Sequence, residues 1–439
     1  MANPDKKQTD QSLRVSFLDG IFASLMGGFT LEYFAPFLLL LGATAKHIGM
    51  LTALPNLFSS LIQLKSADIT NRFKSRKKLI AIFILLQDLT LVPMALAALL
   101  KWGNPYFFIA AVVLFTCSGA FVAPAWLSLM SDLVAEGERG RYFGWRNRAL
   151  GFIIVGATLT AGLVLQIMKK FDIFLGFTII FSFAFIFRMI SWYFFCKMKD
   201  PAAGQKEEES FSLFDFLKQI RKSNFAKFVI FVSGMSFSVN LAAPFFAVFM
   251  LRDMRFGYFL YTIITISATL MVYSVIERWG AHADRLGNLK IIRFVSPLIG
   301  IIPLFWIFNH HPVFLIIVQL FSGFAWAGFN LCAANFIYDA VTPRKRTRCI
   351  SYFNVLNGLA ISSGAILGGF LLNSLPALLG YKVLTLFLIS SVMRMAVSAY
   401  MLPKLKEVRQ VERIKSNELF FSMIGARPLL GIDRKIGRY

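Results

Sequence analysis

Glu32, Asp88, Arg188 and Arg394 stand deep inside long apolar runs. Ionisable groups are costly in hydrocarbon, so such residues mark a solute or proton site or pair with one another. Glu32 lies in Phe29-Thr-Leu-Glu32-Tyr33-Phe34-Ala-Pro36, about 9 residues, or roughly 14 Å, from the nearer end of its run. A carboxyl at that depth can take up and release a proton. It can equally hydrogen-bond to a neighbouring helix or tilt toward lipid headgroups. Asp88 and Arg188 each sit about nine residues from the same side of the runs, and equal depth predicts a structural ion pair. Arg394 repeats Arg188 at an offset of 206, with no acid in the ninth run to match it, which leaves snorkelling or bonding to backbone carbonyls as the open readings. Asp19, near the entry of the first run, reads as an interfacial or capping residue.

Catalytic chemistry is not legible. His282, His310 and His311 fall in loops and His47 at a helix start, and no nucleophile–His arrangement or phosphate-binding glycine loop occurs. Cys117, Cys196, Cys332 and Cys349 lie in or beside apolar runs, which points away from a disulfide framework or a metal site. The expectation is a protein that is not an enzyme, with no metal and no cofactor.

A second set of charges occurs twice. Asp132, Arg139, Arg141, Asn147 and Gly151 recur as Asp339, Arg346, Arg348, Asn354 and Gly358, each pair 207 residues apart. Gly162 and Gly369 extend the match. Each set reads as a short charged loop between apolar runs, and the repeat makes the chain two copies of one unit. The two sets read as ion-pair clusters restraining one side of the molecule, worth about 1–3 kcal/mol in one conformer. The alternative is a basic loop that only sets topology.

The elements that must position these residues are helices in lipid. The chain has 439 residues, 57% hydrophobic, 16% charged and with 48 Phe, against about 25% charged in a soluble domain. Mean hydropathy is +0.65. Twelve runs are long enough to span about 30 Å: 15–41, 47–64, 79–100, 105–131, 143–168, 172–196, 225–250, 257–279, 290–308, 313–338, 349–374 and 381–402. The first is too long for a cleavable signal and reads as a retained helix. The expected organisation is a polar N-terminal tail (1–14), a six-helix bundle (15–196), a linker (197–224), a second six-helix bundle (225–402) and a basic tail (403–439). Within the linker, Phe211, Phe214, Leu217 and Ile220 fall at helical spacing, the mark of a surface helix.

Of the 46 Lys and Arg, 37 fall on the side of the N-terminus and seven on the other. That bias predicts cytoplasmic termini and accounts for the net charge of +23 without nucleic acid.

Gly280-Ala-His-Ala-Asp284-Arg285-Leu-Gly287, between the eighth and ninth runs, resembles the signature loop of the major facilitator superfamily. The resemblance covers the whole chain. The first-half counterpart, from Leu64 through Asp68 and Arg72, departs from the pattern: three residues separate Asp68 from Arg72, and Lys74 takes the second Gly position. The resemblance implies an all-α polytopic fold, two pseudo-symmetric six-helix bundles. It implies a cytoplasmic gate built from Asp68, Arg72, Gly280, Asp284, Arg285 and Gly287, joined by the repeated Asp/Arg sets. It also implies a central cavity lined by the first, fourth, seventh and tenth runs. Pro36 matches Pro244 at an offset of 208, which sets Glu32 opposite Asn240. Trp326, Asn330, Cys117 and Phe121 lie near the same depth.

The expected function is secondary transport of a small solute by alternating access, with proton coupling through Glu32, as symporter or antiporter. The alternative is a transport-inactive sensor or scaffold on the same fold. Expected partners are a small-molecule substrate, protons and the bilayer, without nucleic acid. The expected state is a monomer in the plasma (inner) membrane.

Overall fold

The computed structural model describes residues 4–72, 75–134, 138–198 and 223–408, with side chains for all of these but 4–10, 65–72, 140 and 343–347. The surface helix expected within 197–224 and the tail from 409 lie outside the described residues.

Helix follows helix. The order is α1 (Pro4–Thr30), α2 (Phe34–Leu40), α3 (Ala45–Arg72), α4 (Arg76–Leu89), α5 (Leu91–Leu99), α6 (Pro105–Leu133), α7 (Arg139–Met168) and α8 (Ile173–Cys196). Then come α9 (Asn224–Asn240), α10 (Phe245–Val248), α11 (Tyr258–Leu286), α12 (Asn288–Phe308), α13 (Pro312–Ala340), α14 (Pro343–Ser374) and α15 (Lys382–Met401). Among the described residues, 11 stretches are long and apolar enough to cross a membrane. The remaining expected span is α3, whose 28 residues reach about 42 Å; Asn56, Ser59, Ser60 and Gln63 dilute its apolar character. The protein is an integral membrane protein.

Most helices outrun the apolar segments that reveal them. α1 starts at Pro4, so residues 4–14 are helical and not a separate tail. α11 runs on to Leu286, so Gly280-to-Lys290 is not a loop: only Gly287, at φ +86°, interrupts the helix there. Hydropathy marks where hydrocarbon ends, whereas a helix continues until its backbone bonding is broken. The breaks have local causes. Asn104 caps α6, accepting from Tyr106 N at 3.0 Å and Phe107 N at 3.3 Å, with Pro105 at the first helical position. Asp172 caps α8 through Phe174 N at 2.9 Å.

Three spans are interrupted internally by proline. A proline has no N–H, so the carbonyl four residues earlier loses its helical donor and the ring crowds it. Pro36 does this to Glu32, where a 3-10 turn at Leu31–Tyr33 separates α1 from α2. Pro93 does it to Leu89, at the α4/α5 break. Pro244 does it to Asn240, where α9 stops and four turn residues precede α10. A π-helical turn, Phe249–Asp253, follows α10.

By contact, the chain forms two compact units that cut across the expected halves. One is Met1–Lys206 with Ala243–Ile266 and Ala365–Asn373; the other is Glu207–Ala242, Ser267–Gly364 and Ser374–Tyr439. In the first unit α1 packs on α7 and α8, and α6 on α3 and α4. Its core is aromatic: Phe37 lies 4.8 Å from Phe108, 4.9 Å from Phe177 and 5.4 Å from Phe181, by ring centroids. In the second unit α12 packs on α13 and α15, and α9 on α15. Trp279 and Trp306 are fully buried there, and Phe228 stacks on Phe336 at 4.2 Å.

Candidate functional site

Glu32 lies in the 3-10 turn that Pro36 imposes on the first span. It is half-buried, and its carboxylate makes no hydrogen bond or ion pair among the described residues. Its carbonyl, deprived of a helical donor, accepts from Tyr261 Oη at 3.0 Å. The next residue, Tyr33, is wholly buried. Its hydroxyl donates to the Thr158 carbonyl and meets Thr262 Oγ1 at 3.0 Å. The start of α11 is therefore bonded to two of the three residues of the turn, Glu32 and Tyr33. Close approach there depends on glycine: a Cβ on Gly162 would collide with Thr262. The repeat partner does the same work, since a Cβ on Gly369 would lie 2.9 Å from the Ala45 carbonyl oxygen. The shared offset of the two glycines thus has a packing cause. Both contacts lie in the first unit, away from the Asp132 end.

Cys117 is half-buried on α6, and Phe121 stacks on Phe83 of α4 at 4.2 Å. In the second unit, Asn240 closes α9 and donates to the Ser236 carbonyl at 2.9 Å. Trp326 packs edge-on against Phe329 at 5.4 Å, and Asn330 is exposed.

The expected Asp88–Arg188 ion pair is absent. Arg188 Nη2 donates instead to Gln87 Oε1 at 2.5 Å and Nη1 to Ser191 Oγ at 3.1 Å. Ser191 in turn donates to Asp19 Oδ1 at 2.6 Å. Equal depth was satisfied, but consecutive residues point about 100° apart round a helix, and Gln87 takes the facing position. Asp19 is therefore no interfacial cap: it is buried, at the end of an α1–α8–α4 network. Arg146 completes the neighbourhood, donating to the Ser16 carbonyl at 3.2 Å and lying 4.5 Å over the Trp126 ring. Sequence reading missed Asp19, Gln87 and Ser191. The signal was present in the similar depths of Asp19 and Ser191, about four and five residues from the same side of their spans.

The expected Asp132/Arg139/Arg141 cluster does not form either. Asp132 pairs with Arg76 of α4 at 2.7 Å, and Arg76 also donates to Ser128 at 2.8 Å. Ser128 and Asp132 are one turn apart on α6, so one guanidinium serves both. Arg139 folds back on the carbonyls of Val134 and Ser131, at 3.2 and 2.5 Å, and Arg141 is exposed. In the second unit Asp339 accepts from Asn288 Nδ2 at 2.8 Å. The Arg348 Nε makes no hydrogen bond, Asp284 is exposed in the last turn of α11, and Arg285 is half-buried beside it. The side chains of Asp68, Arg72 and Arg346 lie outside the described residues.

Arg394 bonds main-chain carbonyls, one of its two open readings, together with one hydroxyl. Its Nε donates to Ser390 Oγ at 3.1 Å, Nη1 to the Ile299 carbonyl at 3.2 Å and Nη2 to the Val239 carbonyl at 3.4 Å. Among the described residues, no group of three His, Cys, Asp or Glu could hold a metal ion.

Residues 20–308 and 278–432 match the sequence profile of the Major Facilitator Superfamily. The chain belongs to that superfamily. Solved structures agree with this superfamily assignment at the level of fold. A mutant form of the nucleoside transporter NupG is 15% identical over 90% of this chain and 100% of its own, with a TM-score of 0.70. A bacterial homologue of the human lysosomal transporter Spinster, in an inward-facing and unoccupied conformation, is 13% identical over 93% and 100%, at 0.59. The human organic anion transporter MFSD10 is 13% identical over 91% and 100%, also at 0.59. No curated protein shows significant sequence similarity to the chain. The superfamily's transporters share this all-helical fold, and fold alone does not name a solute.

Proposed function

We propose that this member of the superfamily carries a small solute across the plasma (inner) membrane by alternating access, coupled to protons, with Glu32 as the coupling residue. The observation that carries the reading is the Glu32 carboxylate: it stands at a proline-induced break within a span and has no partner among the described residues. An acid so placed is free to exchange a proton or meet a solute donor. Cys117 and Phe121 from the first unit, and Asn240, Trp326 and Asn330 from the second, are the proposed solute-contacting residues. Asp284 with Arg285, and Asp339 with Arg348, are proposed to restrain the cytoplasmic side. The excess of Lys and Arg on the N-terminal side supports cytoplasmic termini, and the protein is proposed to act as a monomer.

The solute is a matter for assay, because the structural neighbours carry nucleosides in one case and organic anions in another. Purified protein in vesicles containing a pH dye is given a panel of nucleosides and organic anions. Solute flux accompanied by lumenal pH change is expected, with Glu32→Gln abolishing the pH change. Unaltered proton movement in that variant removes Glu32 from the mechanism. Absence of flux for every solute favours the transport-inactive alternative.

A further inference from the structure

Asp88 is fully buried in α4, and neither of its carboxylate oxygens has a hydrogen-bond partner. The Nε of Arg188 has none either. Arg188 lies within Coulombic range of both Asp88 and Asp19. One guanidinium is thus flanked by two acids. It reaches Asp19 through Ser191, and on the other side it rests on Gln87, the chain neighbour of Asp88.

Two requirements conflict here. Arg188 and Arg146 are balanced by Asp19 and Asp88 only if both acids are ionised. Yet an ionised Asp88 has no donor, and a buried carboxylate without donors costs far more than a buried neutral acid. The observed arrangement meets the second requirement. The first is met if the guanidinium leaves Gln87 for Asp88. Gln87 and Asp88 are consecutive on α4, about 100° apart round its axis, so the guanidinium must swing by one helical step.

We propose that Asp88 is a proton-binding site, and that Arg188 rests on Gln87 while Asp88 is protonated and moves onto Asp88 when the proton leaves. The O–H bond of the Asp88 carboxyl breaks, the proton goes to water, and no other covalent bond changes. Asp19 keeps the Ser191 hydroxyl throughout and has Arg146 within Coulombic range when Arg188 departs. The groups around Asp88 are few. α8 brings Arg188, and α1 brings Asp19 behind Ser191. α5 brings no titratable group, and α6 carries only Tyr106 and Cys117 between Pro105 and Ser131. The missing ion pair is, on this view, the second state of a switch. Its bearing on transport rests on the carrier reading above, but its chemistry does not.

The test needs no solute. Purified full-length protein in lipid nanodiscs is carried from alkaline to acidic buffer, and infrared difference spectra record carboxylic-acid C=O bands. Asp88→Asn is expected to lose one band present in the unsubstituted protein, whereas Glu32→Gln retains it. Asp88→Glu, the conservative variant should the amide disturb folding, returns the band at a shifted frequency. Arg188→Lys, with a shorter reach, moves its titration midpoint by about one pH unit or more. Identical acid bands in the unsubstituted protein, Asp88→Asn and Asp88→Glu overturn the site. An unmoved midpoint in Arg188→Lys overturns the switch. Solute flux without an Asp88 band sinks this proposal alone, and an Asp88 band without flux sinks the carrier reading alone.

Discussion

Arg188 and Arg394 occupy matching places in the last span of each half, yet they are held in different ways. Arg188 is met by side chains, Gln87 and Ser191, with Asp19 beyond and an unsatisfied Asp88 nearby. Arg394 is met by one hydroxyl and two main-chain carbonyls, with no acid in its bonding. Carbonyls cannot titrate, so the acceptors in the second arrangement carry no charge that pH could change. Side-chain partners can change charge and conformation, so the first can have two states. A duplicated element has kept its cation in both copies, while the means of neutralising it diverged.

The largest expected effect separates the two directly. Arg188→Met removes one of the two cations within Coulombic range of the buried Asp19 and leaves Gln87 Oε1 without its donor, and should cost up to about 3–5 kcal/mol. Arg394→Met strands no charge, and its carbonyl acceptors lie in α9 and α12, so it should cost clearly less. Thermal unfolding of both variants in one detergent checks this. Equal losses would erase the distinction.

The repeated glycines sharpen the comparison from the packing side. Gly162→Ala must displace the Thr262 side chain, and Gly369→Ala must displace main chain at Ala45. Each should cost about 1–3 kcal/mol. Gly369→Ala is expected to be the worse, because a backbone cannot rotate away. Unfolding midpoints decide the order.

The smallest effect concerns an exposed pair. Lys101 Nζ lies 2.8 Å from Asp172 Oδ2 in the loop before α8. This hydrogen bond, and then the Phe174 and Leu175 N–H groups, hold the Asp172 carboxyl below its usual range. A depressed folded pKa means the contribution is present above the ordinary carboxylate range and is lost as pH falls through the lowered value. Lys101→Met should therefore slightly reduce the stability difference between neutral and strongly acidic buffer. An unchanged difference would show that screening leaves this pair without weight.

The sequence carried much of the fold, and the reasons are physical. Hydrocarbon demands continuous apolar helices, so the spans are written in composition. The constant offset from Asp132 to Gly151 exposed the duplication. Pairing was less legible. Depth along a span can be counted, but rotation about a helix axis cannot be counted to within one residue, and that is the error that gave Asp88 a partner belonging to Gln87. Asp132 went to Arg76 for a related reason: the competitor came from another helix, whose facing side no local pattern reveals. Tyr33 and Tyr261 were invisible because aromatic residues are common throughout this chain.

Proline at 36 and at 244 has one more implication. The oxygen it releases belongs to the main chain of the residue four places upstream, so no substitution of the side chains at 32 or 240 can take that oxygen away. Redesigning polarity at either kink means editing the imino acid and leaving the conspicuous residue alone.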